Sequence, residues 1–127
     1  MRWLFIHQDL PGQFRHVMRH LAALGHDVVG IGRNPETRIE GAQVWSYRPR
    51  RAGSEAHAYV REFDLAVHNG LAVADVCTRL KTSGYVPHVA VGHNGWGEIF
   101  FAKDVWPSMP LVGYFEFFYR LSGSDAD

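Results

Sequence analysis

The 127-residue sequence holds one cysteine, Cys77, so no disulfide can close within the chain. A lone thiol in the stretch Ala74-Asp75-Val76-Cys77 reads as core filler, and a reducing cytoplasm is the expected compartment. Long apolar runs are missing too. Trp3-Leu4-Phe5-Ile6 stops at His7, short of the roughly 7–15 residues of a signal-peptide core, and nothing approaches the roughly 18 of a membrane span. Neither charge is in excess, with 13 basic and 13 acidic side chains, which argues against a domain built for nucleic acid. Arg48, Arg50 and Arg51 form one small basic cluster. Serine is sparse and none sits in a G-x-S-x-G turn, while G-x-G-x-x-G and G-x-x-x-x-G-K-[ST] are both absent. A nucleophile-elbow hydrolase, a standard dinucleotide site and a P-loop are thereby disfavoured, and no cofactor or metal is expected. Core material, by contrast, is plentiful: eight Phe, five Tyr and four Trp in a chain that is 46% hydrophobic. The length fits one domain, which can bury about two-thirds of its unfolded surface without a staple.

Arg2 to Ile6 reads as a buried strand, and Pro11-Gly12 punctuates the loop after it. A helix is predicted from Gln13 to Leu24, with Phe14, Val17, Met18, Leu21 and Leu24 on its apolar face and Gly25 as a left-handed cap. Val28, Val29 and Ile31 make a second buried strand, closed by Gly32-Arg33-Asn34-Pro35, and Ala42 to Tyr47 a third. Ser54 to Thr82 is helical in pattern, with Ser54 as N-cap and a stripe of Tyr59, Phe63, Val67, Gly70, Ala74, Cys77 and Leu80. Asn69-Gly70 is a candidate kink in this long helix. A fourth strand from Val86 to Val91, a helix from Glu98 to Val105 and a fifth strand from Leu111 to Phe115 follow. Strands alternating with helices imply an α/β domain whose mainly parallel sheet is covered on both faces. Residues 122–127 read as a polar, frayed tail.

Ligands in open α/β sheets bind beyond the carboxyl ends of the strands, and two loops qualify. In the first, His7-Gln8-Asp9-Leu10-Pro11-Gly12, glycine permits close backbone approach and the following helix start offers free N–H groups to an anion. An ordinary Pro-Gly turn explains the same residues. The second, Gly92-His93-Asn94-Gly95-Trp96-Gly97-Glu98, sets an aromatic wall between glycines, with His93 and Glu98 as proton-transfer or hydrogen-bonding groups. Its structural alternative has Trp96 plugging the sheet end and Glu98 favouring the next helix start. His16 and His20 have the i, i+4 spacing of metal ligands but lack the Glu of H-E-x-x-H, so a solvated face is the better reading. The run Tyr114-Phe115-Glu116-Phe117-Phe118-Tyr119 is either a partner surface or an extra helix packed on the sheet.

Taken together, Leu4-Phe5-Ile6-His7-Gln8-Asp9-Leu10-Pro11-Gly12-Gln13-Phe14-Arg15-His16, Leu24-Gly25-His26-Asp27-Val28-Val29, the His93 loop, Lys103-Asp104-Val105-Trp106-Pro107 and Leu111 to Tyr119 resemble the N-terminal half of a family 4 glycosyltransferase of the GT-B type. The resemblance implies a Rossmann-like, three-layer α/β/α domain over residues 1–121. It also implies a nucleotide-sugar donor, a sugar or lipid-linked acceptor, peripheral membrane contact through the latter, and a retaining hexosyl transfer. The second domain would hold most of the donor, leaving the 127 residues alone inactive. By the same resemblance His93 borders the reaction centre and Gly12 lies near phosphate. His7, Gln8, Pro11, Gln13, Asn94, Gly95, Trp96, Gly97 and Glu98 join them as substrate-binding residues. One departure is Asn94, where this subgroup typically has Pro. Two other classes compete: a stand-alone module with a flavodoxin-like sheet, whose aromatic run would be buried, and a complete small enzyme with micromolar nucleotide affinity.

Overall fold

A computed structural model describes residues 1–49 and 56–116; Arg50, Arg51, Ser54, the run Phe117-Phe118-Tyr119 and the tail from 122 lie outside the described residues. Five strands, β1 (Arg2–Ile6), β2 (Asp27–Gly32), β3 (Ala42–Ser46), β4 (Val89–His93) and β5 (Leu111–Tyr114), form one sheet in the order β3-β2-β1-β4-β5. Every pairing is parallel. This is the Rossmann-type order, not the 2-1-3-4-5 of a flavodoxin-like sheet. Helices α1 (Arg15–Ala23), α2 (Arg61–Thr82) and the single turn α3 (Ala102–Val105) make the crossovers.

Alternation along the central strands feeds two cores. Leu4, Ile6, Val29 and Ile31 face α2 and its Val73, Val76, Cys77 and Leu80. Phe5 and Val28 face α1 and the turn before it, where Met18 and Leu21 of the helix and Phe14 of the turn are buried. Each of these aliphatic or aromatic side chains contributes about 1.5–3 kcal/mol when fully buried. Val17 and Leu24, expected in the same stripe, are exposed: they lie on the flank of the narrow face that meets the sheet. The Cys77 thiol is buried, and desolvation pushes its pKa up to about 12, so it behaves as a small hydrophobe.

Two predicted elements shift. β4 begins at Val89 instead of Val86 and runs on to His93, because Trp3 pairs with Val89 and the ladder then extends to Gly92 and beyond. The helix expected from Glu98 is confined to Ala102–Val105.

The long helix differs more. It starts at Arg61, after a 3-10 turn at Ala58–Val60, and runs unbroken through Asn69-Gly70; Tyr59 (94% exposed) of that turn and Phe63 of the helix lie in solvent. Length explains the exposure: 22 residues of helix span about 33 Å, while five residues of strand span about 17 Å. Running back antiparallel to the strands, α2 begins well beyond the sheet's carboxyl edge, where its first turns have no strand beneath them. Gly70 is there for close approach, not for a kink. A Cβ on it would stand 2.6 Å from the Gly97 carbonyl oxygen. A Cβ on Gly97, at φ +95°, would stand 2.0 Å from the Ala66 carbonyl oxygen. The His93 loop thus lies backbone to backbone on α2.

This contact can be separated from backbone strain. Gly84 has the same φ of +95° but open space around it. Gly84→Ala is expected to cost about 1–2 kcal/mol and Gly97→Ala about 3 kcal/mol or more by urea unfolding. Equal losses would mean that the loop yields easily from α2.

Candidate active site at the carboxyl edge of the sheet

The strand order reverses direction between β1 and β4, and the loops leaving these two strands meet there. His7 and His93 follow in consequence, with ring centroids 4.6 Å apart. Both are buried, His93 at 2% exposure and His7 at 7%. With Asp9, Gly12, Gln13, Trp96 and Glu116 they line an open pocket of about 560 Å³.

Hydrogen bonding separates the two imidazoles. The Asp9 backbone N–H donates to His7 Nδ1 (2.9 Å), so the ring proton sits on Nε2 and donates to Gln13 Oε1 (2.5 Å). His7 is fully engaged, and burial holds its pKa below the usual histidine value. His93 Nε2 pairs with Glu116 Oε2 (2.8 Å), while its Nδ1 is buried with no partner. Of the pair, His93 alone keeps a nitrogen uncommitted. Gly12, at φ +49°, is required by this arrangement, since a Cβ would fall 2.3 Å from His7 Nε2.

Glu98 lies beneath the loop at 1% exposure instead of at a helix start. Tyr47 donates its hydroxyl to Glu98 Oε1 (2.9 Å), and Oε2 has no partner. Desolvation raises the carboxyl's pKa, only partly opposed by backbone hydrogen bonding and Tyr47. The Gln8 amide, oriented by its neighbours, donates to Glu98 Oε1 (3.3 Å) and accepts from both terminal nitrogens of Arg33 (2.9 and 3.0 Å). Arg33 in turn pairs with Asp9 (2.6 Å). A chain of polar contacts therefore joins the ends of β1, β2, β3 and β4.

Most of the predicted residues border one of two cavities, and four border neither. His7, Gly12, Gln13, His93 and Trp96 border the histidine pocket. Gln8, Gly95 and Trp96 border a second cleft of about 440 Å³, shared with Arg33, Glu62 and Asn69. Trp96, 51% exposed, stands between the two cavities and does not plug the sheet. Pro11, Asn94, Gly97 and Glu98 line neither. The Pro11 carbonyl accepts from Phe14 N–H (2.8 Å) and Asn94 N–H donates to the Tyr114 carbonyl (2.9 Å), so both hold backbone in place. Sequence reasoning passed over Arg33, Tyr47, Asn69 and Glu116 as site residues. Arg33 and Tyr47 directly follow β2 and β3, so the rule that selected His7 and the Gly92–Glu98 loop could have found them too. Asn69 and Glu116 carried no comparable signal. In the described part of the aromatic run, Tyr114 and Phe115 are exposed, which opposes the stand-alone module's expectation of a buried run.

Glu98 makes stability pH-dependent with a definite sign. Its carboxyl titrates at about 4.5 when unfolded and higher when folded, so between those values the native state holds the extra proton. That contribution is full below 4.5 and is lost as pH rises through the folded value. His7 acts oppositely, losing stability as pH falls below 6.5 towards its depressed folded value. Urea unfolding of Glu98→Gln should show the variant gaining on the wild type as pH rises above about 4.5. A wild type that gains on Glu98→Gln over that range would mean the ionised carboxylate is the stabilised form.

Among the described residues no helix is long and apolar enough to cross a membrane. Among curated proteins none matches the chain. Of solved structures, the C-terminal domain of a Pyrococcus furiosus hydrogenase superposes with a TM-score of 0.57 at 8% identity, covering 89% of each chain. Phytolacca americana UGT2, complexed with UDP-2fluoro-glucose and pterostilbene, superposes with a TM-score of 0.55 at 8% identity. That match covers 89% of this chain but 30% of UGT2, so this chain spans under a third of the longer protein. At such identities the likeness concerns the fold alone. A family model, the glycosyl transferase family 4 group, matches residues 24–127, and the chain belongs to that group.

Proposed function

We propose that this chain is the acceptor-side domain of a glycosyltransferase that moves a hexosyl group from a nucleotide-sugar donor to an acceptor hydroxyl, with retention at the anomeric carbon. The observation that carries the reading is His93 in the family's domain setting: a buried imidazole that borders an open pocket, with Nε2 paired to Glu116 and Nδ1 enclosed without a partner. An imidazole–carboxylate pair so placed can share a proton with the reacting groups or stabilise charge developing at the sugar. The Gly12 and Gln13 backbone ahead of α1 borders the same pocket, where N–H groups at a helix start suit a donor phosphate. The nucleotide sugar bound by UGT2 supports a donor of that class.

A second domain facing this edge would supply most donor contacts and close the pocket, which is open on its own. The isolated 127 residues should therefore be inactive and bind nucleotides weakly. The buried thiol of Cys77 agrees with a cytoplasmic location, and a lipid-linked acceptor would bring the protein to a membrane surface.

In a longer protein carrying both domains, His93→Ala should lower the transfer rate about 100-fold or more. Its melting temperature should fall far less than such a loss of activity would require. Unchanged turnover removes His93 from the chemistry. Calorimetry of the 127-residue chain with UDP and GDP supplies a second check: micromolar affinity would favour a self-contained nucleotide-binding enzyme.

A further inference from the structure

We infer that the cleft beneath the overhanging start of α2 binds a neutral pyranose ring of the acceptor, stacked on Trp96. The word acceptor rests on the transferase reading; the sugar chemistry rests on the cleft itself. Its platform is the half-exposed Trp96 ring, which also borders the His93 pocket, so a ring lying on it is one indole away from the histidines. The platform is held from behind. Asn69 Nδ2 donates to the Trp96 carbonyl (3.2 Å), and Gly97 fixes the next peptide against α2. The apolar Leu65 and Ala66 line the same cleft, and Gln8, Arg33 and Glu62 supply polar groups to it. A pyranose has this division, with C–H faces that pack on aromatics and hydroxyls at the rim that need donors and acceptors.

The charge distribution selects a neutral ring over a phosphate-bearing group. Among the described lining residues Arg33 is the one cation, and its guanidinium is occupied by Asp9 at 2.6 Å and by the Gln8 amide. Glu62 adds a carboxylate to the same cleft. A phosphate would meet carboxylates with no cation left free among the described lining residues to offset them. Hydroxyls, in contrast, can use both signs.

The test is a titration of the 127-residue chain, followed by side-chain NMR signals of Trp96 and Asn69. Methyl gluco-, galacto- and mannopyranosides are added in one series and inorganic phosphate in another. At least one glycoside should move both signals saturably, and phosphate should not. Trp96→Ala should weaken that binding about tenfold or more, with Trp96→Phe intermediate. Because the Trp96 ring is half exposed, both variants should keep the wild-type melting temperature. No saturable shift with any glycoside, an equal response to phosphate, or undiminished binding by Trp96→Ala would each overturn the inference. Sugar binding without transfer in the two-domain protein would instead sink the transferase reading alone. Transfer to an acceptor that leaves Trp96 unmoved would sink this one alone.

Discussion

The double burial of β1 is the constraint on which the rest depends. Leu4 and Ile6 fill one core and Phe5 the other, while both backbone edges are taken up by β2 and β4. A strand with no free edge and no wet face can be placed in only one way. Since all its neighbours are parallel, every strand exit falls on the same side of the molecule. The order reverses at β1 and β4, so the crossovers diverge and leave a gap above those two exits. His7 and His93 stand in that gap because one directly follows β1 and the other ends β4, not because they attract one another.

Polar chemistry at this edge is organised by burial. Glu98 and His93 are almost fully enclosed, yet each keeps one atom without a partner. Groups of this kind are costly when left unsatisfied, and the surrounding contacts offset part of that cost. Tyr47 and Gln8 share one oxygen of Glu98, and Glu116 holds one nitrogen of His93. His7 shows the opposite solution. With both nitrogens bonded it is a neutral structural ring, and its tautomer is set by a backbone N–H that cannot turn away. Two histidines that look alike in sequence are therefore chemically unequal.

The second cavity arises from a length mismatch. α2 is about twice as long as the strands it covers, and its surplus turns project over the exits. Gly70 and Gly97 then let the His93 loop rest directly on that projection, which fixes where Trp96 stands. One loop consequently serves two cavities. Their common wall is an aromatic ring with too much exposure to be core.

Much of this fold was legible in the amino-acid sequence. β1 and β2 declare themselves as short β-prone runs, Gly25 ends α1 in the left-handed conformation its position implies, and alternation of strand and helix leaves little but a parallel sheet. The two loops of interest were legible as well, since glycine, histidine and tryptophan directly after strands have few structural reasons to cluster. Periodicity failed where it met length. It placed Tyr59 and Phe63 in the core stripe, because a helical repeat does not tell how far the sheet beneath extends. The partners of the site were illegible for a related reason. Glu116 meets His93 across 23 positions and Tyr47 meets Glu98 across 51, and no local pattern encodes contacts of that separation. Sequence by itself determined which segments are strands and which exits carry chemistry. Only the tertiary structure decided which nitrogen of which histidine is left uncommitted, because that depends on groups brought together by strand order and burial.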